Sequence, residues 1–184
     1  QVGLGTLSML ASPNTPAAAN VVPGKLKHEF MKVDFTATSE DIVITSLTVN
    51  LCEAAACSNN ATPNGDSGDF TNVKLWNGND QLGSTVGAPS STAGFSFNLE
   101  VKKNETVTVT VTADVPTDAA TSDDAAASGW NGDTANFSID KDIVATGLSS
   151  SATIVDPAAD AIGLTMSATG GSIVASMAST PPDS

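Results

Sequence analysis

Residues Phe95–Pro116 read FSFNLEVKKNETVTVTVTADVP, and their reading decides the fold. Phe95, Phe97, Leu99 and Val101 recur at every second position, the spacing at which side chains leave one face of a β-strand. Lys102-Lys103-Asn104-Glu105 turns the chain. Val107, Val109, Val111 and Ala113 then return along the same core. The threonines at 106, 108, 110 and 112 form the wet face of that second strand, where β-branching favours extended backbone without apolar exposure. Neither strand carries a residue suited to catalysis, so the pair reads as sheet.

The same period continues on both sides. In HEFMKVDFTAT (28–38), Met31, Val33, Phe35 and Ala37 share one face, with Lys32, Asp34 and Thr36 on the other. In DIVITSLTVNL (41–51), Val43, Leu47, Val49 and Leu51 run in one phase and Ile42 and Ile44 in the other. That break predicts a bulge, or a strand buried on both faces, near Thr45. FTNVKLWNGNDQLGS (70–84) reads as a strand through Trp76, a turn at Asn77–Asp80 and a short return strand. Residues 117–133 are rich in Asp and Ser and read as a long surface loop. TANFSID (134–140) restores a strand through Ala135, Phe137 and Ile139, and DIVATG (142–147) and SATIV (151–155) look like two short closing strands.

The expected organisation is an N-terminal strand over 1–11, a connector over 12–20, a β-sandwich core over 21–155, and C-terminal strands with a polar tail over 156–184. Two weak strands are expected around Gly170-Gly171. Nine to eleven strands and no helix make an all-β protein, a single β-sandwich of Ig-like or jelly-roll topology. The Cys-Trp-Cys spacing of true immunoglobulin domains is absent.

At 184 residues the chain can bury one full core. Aromatic residues are only 4%, and the formal charge of −13 includes no arginine. Such a surface repels phosphate backbones and anionic lipid, which excludes nucleic acid as a partner. No apolar stretch reaches the roughly 20 residues that span a bilayer, so no membrane insertion is expected. A chain opening on Gln1 reads as trimmed of a signal peptide, and QVGLGTLSMLASP is too short for the apolar helix of a type IV pilin. An extracellular or cell-surface setting follows. In that setting Cys52 and Cys57 are expected to form a disulfide, their spacing being neither a redox C-x-x-C nor a zinc site.

Motifs for catalysis are missing. There is no G-x-S-x-G elbow, H-E-x-x-H helix, P-loop or dinucleotide fingerprint, and His28 is the single histidine. No enzyme and no cofactor is expected. The Asp, Asn and Gly of 64–69, 77–80, 114–124, 131–133 and 140–142 are oxygen-rich enough to raise Ca²⁺ as a candidate ligand, though Asp, Asn and Gly are also the preferred turn residues. Asn60, Asn104 and Asn136 head glycosylation sequons. Trp76 and Trp130 each stand beside an Asn-Gly pair and could offer stacking faces to a glycan, or cap the core.

The succession TPAAANVVPGKLKHEFMKVDFTATSEDIVITSLTV, DFTNVKLWNGNDQLGSTV and FSFNLEVKKNETVTVTVTADV resembles a β-sandwich module of exported surface-layer and filament-forming proteins of bacteria and archaea, over about residues 5–155. That resemblance implies a structural role and transfers no functional residue. Such modules often stand in tandem, whereas this chain holds one copy and spare terminal strands. A spare strand can pair with the sheet edge of a neighbour and repeat, building a filament or tube. VGLGTLSMLAS suits the donor role, with Leu4, Thr6, Ser8 and Leu10 alternating against Gly3, Gly5, Leu7 and Met9; it could equally be the first strand of its own sandwich. The sequence thus points to a structural subunit of an extracellular filament, tube or surface layer, whose partners are copies of itself. The alternative is an adhesin or carbohydrate-binding module with a glycan partner.

Overall fold

A computed structural model describes residues 4–53, 57–58, 62–65, 69–117 and 134–168. These form twelve strands in two sheets and, among the described residues, no helix. In chain order they are β1 (Thr6–Ala11), β2 (Asn20–Val21), β3 (His28–Thr38), β4 (Ile42–Glu53), β5 (Thr71–Asn77), β6 (Asp80–Val86), β7 (Thr92–Val101), β8 (Thr106–Asp114), β9 (Thr134–Ile139), β10 (Val144–Gly147), β11 (Ala161–Ile162) and β12 (Met166–Ala168). The five-stranded sheet runs β1-β3-β8-β5-β6; the seven-stranded sheet runs β10-β4-β9-β12-β2, with β7 along β4 and β11 along β9. The protein is therefore an all-β sandwich. The strand count exceeds the expected upper limit because two-residue ladders such as β2 and β11 leave no periodic trace in sequence.

The stretch 95–116 forms two strands, but they do not pair with each other. β7 lies on β4 in one sheet, while β8 lies between β3 and β5 in the other. Residues 102–105 carry the chain across the sandwich, and the β3–β4 connection crosses beside them. The two crossings are tied together: Lys103 N–H donates to Asp41 Oδ1 at 2.7 Å and Asn104 N–H donates to the Ala37 carbonyl at 2.8 Å. Period two fixes which residues face inward but says nothing about which strand lies alongside, so a hairpin and a crossing read alike.

Inside, Met31, Val33, Phe35 and Ala37 of β3 are fully buried against Val109, Val111 and Ala113 of β8 and Val49, Leu51 and Ile139 of the facing sheet. Phe30 stacks on Phe137 at 4.2 Å between ring centroids, and Phe70 meets both edge-on, joining the two sheets. Such aromatic contacts add about 0.5–1.5 kcal/mol each beyond area burial. The phase break in β4 is a bulge, with the register shifting at Thr45 both against β7 and opposite Val144/Ala145 of β10. SATIV forms no strand; it contributes a single bridge, Thr146 to Thr153. The core continues beyond residue 155 through Ala161 and Met166.

One side of the sandwich is closed where β6 leans on β7. Gly83 (φ +66°) approaches the Ser96 carbonyl so closely that a Cβ would stand 2.7 Å from its oxygen. On the opposite side the five-stranded sheet ends at β1.

Candidate functional site

β1 pairs antiparallel with β3 of its own chain from Thr6↔Thr38 to Ala11↔Val33. Its Leu7 and Met9 enter the core, while Thr6, Ser8 and Leu10 face out. Ser12 N–H donates to the Lys32 carbonyl at 2.8 Å, which fixes the phase of the ladder. In an antiparallel pair alternate residues bond to the same neighbour, so Thr6, Ser8 and Leu10 direct their backbone toward β3. Leu7, Met9 and Ala11 therefore direct N–H and C=O outward, and no described strand pairs with that edge, although β11 lies near β1.

A groove of about 410 Å³ runs along this edge, with Leu7, Met9 and Leu10 on one wall and Val155, Pro157 and Ala158 on the other. Leu10 is 68% and Val155 85% exposed, and Leu4 before the strand is 69% exposed. TLSMLA holds no charge, proline or bulge, the devices by which edge strands are normally guarded.

Sequence reasoning missed Glu40, which anchors the start of β1. Its side chain is buried in the crossing between β3 and β4. Oε1 accepts from Ser150 Oγ (2.7 Å) and Gly5 N–H (2.8 Å); Oε2 accepts from the N–H groups of Ser150 (2.8 Å) and Ser149 (2.9 Å). The Ser150 hydroxyl, then its amide, hold the carboxyl down to about 2, with Gly5 and Ser149 assisting against the opposing pull of desolvation. A Cβ at Gly147 would overlap the carboxylate, so that glycine is what admits it. The sequence signal was one of two adjacent acids, Glu40-Asp41, in a turn after Ser39, indistinguishable from solvated carboxylates.

The remaining sequence-derived sites disperse. Cys52, at the end of β4, is disulfide-bonded to Cys57. Asn136 faces that link: its Oδ1 accepts from Cys57 N–H and its Nδ2 donates to the Cys57 carbonyl, both within the buried interior. The amide nitrogen of Asn136, which heads a sequon, is thus enclosed and engaged in the folded chain. Asn104 is exposed at the tip of the β7–β8 crossing with φ +63°. Asn60 and Trp130 lie outside the described residues.

Trp76 donates its indole N–H to Thr112 Oγ1 at 2.8 Å, and Lys27 Nζ sits 3.8 Å above the ring. One ring face is thus occupied, and Thr112 is buried instead of wet. His28 packs edge-on against Phe30 with its Nε2 buried and without a hydrogen-bond partner among the described residues. Burial, and then Lys25, lower its pKa against the opposing effect of Glu29. Among the described residues no three His, Cys, Asp or Glu side chains gather as a metal site. In the 140–142 loop, Asp140 accepts from Asp142 N–H and Asp160 accepts from Lys141 N–H. Residues 66–68 and 118–133, which hold much of the other acidic sequence, lie outside the described residues.

No family model matches this chain, and no curated protein is similar to it. Among solved structures it is similar to the CssB subunit complemented with a donor strand from the CssA subunit of enterotoxigenic Escherichia coli colonization factor CS6. The identity is 10% and the TM-score 0.35, over 89% of this chain and 97% of that one.

Proposed function

We propose that this chain is a structural, non-catalytic subunit of an extracellular filament, tube or surface layer, joined to further copies by β-strand pairing at its N-terminal strand. The observation that carries the reading is the outer edge of β1, a charge-free strand whose outward backbone groups border an apolar groove. Adding a strand there satisfies those groups and covers exposed Leu10 and Val155. A contact between unlike surfaces of identical subunits need not close, so it propagates. The Cys52–Cys57 bond fits an oxidising compartment outside the cytoplasm.

Exchange of β1 itself between copies would rebuild the same register on a neighbour's β3. The connector then acts as the hinge, and it is fastened by Thr15, whose hydroxyl donates to the Lys32 carbonyl and accepts from Lys32 N–H.

Hydrogen exchange at increasing protein concentration tests the proposal. The amides of Leu7, Met9 and Ala11 are expected to become protected as larger species form. Unchanged exchange over a range in which particles demonstrably grow would move the contact elsewhere.

A further inference from the structure

The groove between β1 and Val155–Ala159 is bounded on both sides but filled by no described strand. We propose that its occupant is residues 170–179, GGSIVASMAS, of a second copy of this chain, laid as an added strand against β1. This inference rests on the subunit reading above and names the segment that would make the contact.

The backbone sets the first requirement. Leu7, Met9 and Ala11 present donors and acceptors at every second residue, the pattern that another extended strand completes. Residues 172–179 match it in sequence: Ile173, Ala175 and Met177 alternate with Val174, Ser176 and Ala178, the same mix of apolar and small residues as TLSMLA. The segment is punctuated on both sides. Gly170-Gly171 precedes it, and Pro181-Pro182, which cannot donate to a ladder, follows it.

Shape and charge agree. The groove walls are Leu7, Met9 and Leu10 facing Val155, Pro157 and Ala158, apolar surface of the kind Ile173 and Met177 would cover. The chain carries −13, so two copies repel over most of their surface. Asp156 is the single charged residue lining the groove, and residues 169–182 bring no charge to it. Here two copies can approach without adding to the repulsion. Length permits it as well: 16 residues follow Ala168, enough for about 50 Å of extended chain at roughly 3.3 Å per residue.

The test uses full-length protein. Sedimentation velocity and hydrogen exchange are measured on the wild type, on Ile173→Asp/Met177→Asp, on Ser8→Lys/Leu10→Lys, and on wild type with a synthetic peptide of residues 170–179. The expected result is assembly of the wild type with protected Leu7, Met9 and Ala11 amides, loss of both in Ile173→Asp/Met177→Asp, and dissociation by the peptide. Assembly of that tail variant like the wild type would overturn the assignment. If Ser8→Lys/Leu10→Lys alone then failed to assemble, the β1 reading would stand without the tail. Protected β1 amides in a wild type that stays monomeric would place a chain's own tail in its own groove, overturning the second copy. A monomeric wild type with unprotected amides would overturn both readings.

Discussion

The amide of Gly5 donates to Oε1 of Glu40 at 2.8 Å, so the residue just before β1 is held by a buried carboxylate 35 positions away in sequence. The same carboxylate gathers Ser149 and Ser150 from the turn after β10. One ionised side chain thus fastens the beginning of the edge strand to both sheets, and a neutral amide could not accept from all four donors.

Glu40→Gln is expected to lower the melting temperature and to speed amide exchange at Thr6, Ser8 and Leu10, which bond to β3, more than within the β3–β8 ladder. The Gln NH₂ can only donate, which leaves buried amide donors without an acceptor. Exchange rates that rise equally across the whole sandwich would show that Glu40 has no particular hold on β1.

Acid should act through the same group. The folded carboxyl lies at about 2 against an ordinary 4.5, so between those values the unfolded chain binds more protons than the folded one. The stabilisation is complete above about 4.5 and drains away as the pH falls toward 2. Chemical denaturation from pH 6 to 2.5 is expected to show that loss in the wild type and a shallower loss in Glu40→Gln.

Replacing Cys52 and Cys57 by Ser should cost about 2 kcal/mol, the chain-entropy value for so short a loop. The effect should be local, because the link sits beside Asn136, whose amide holds both backbone groups of Cys57. Urea unfolding of the double variant measures it. Amide hydrogen exchange at position 57 should increase while β3 and β8 stay protected.

Thr112→Val removes the acceptor of the Trp76 indole N–H while keeping the shape of the side chain. Trp76 is half-buried, so losing this bond is expected to cost about 0.5–1.5 kcal/mol, the net worth of a typical hydrogen bond. Denaturant titration followed by circular dichroism would register it; a variant as stable as the wild type would mean that water takes the place of the Thr112 hydroxyl.

Much of the fold could be read from alternation, and for a physical reason. The inward set of β3 and of β8 is imposed by burial on one face, and burial leaves its mark residue by residue. The bulge at Thr45 was legible because it shifts that mark. The partner of each strand was not. β7 and β8 look like a hairpin until Asp41 and Ala37 are seen to hold residues 103 and 104 across the sandwich. Thr112 read as wet because the alternation continues through it, whereas its burial depends on Trp76 reaching over from β5. Glu40 was invisible for a similar reason: its four donors come from residues 5, 149 and 150, which no local pattern connects. In the candidate site, the sequence marked β1 as a strand with one apolar and one mixed face. That its outer edge is open could be seen only once the sheet order was known.

The most direct test of the central claim is electron microscopy of the purified full-length chain beside Ser8→Lys/Leu10→Lys. Both side chains face outward, so the substitutions leave Leu7 and Met9 in the core while placing two charges on the edge strand. Ordered filaments, tubes or sheets are expected from the wild type and only folded, dispersed particles from the variant. Equally ordered assemblies from both proteins would contradict it.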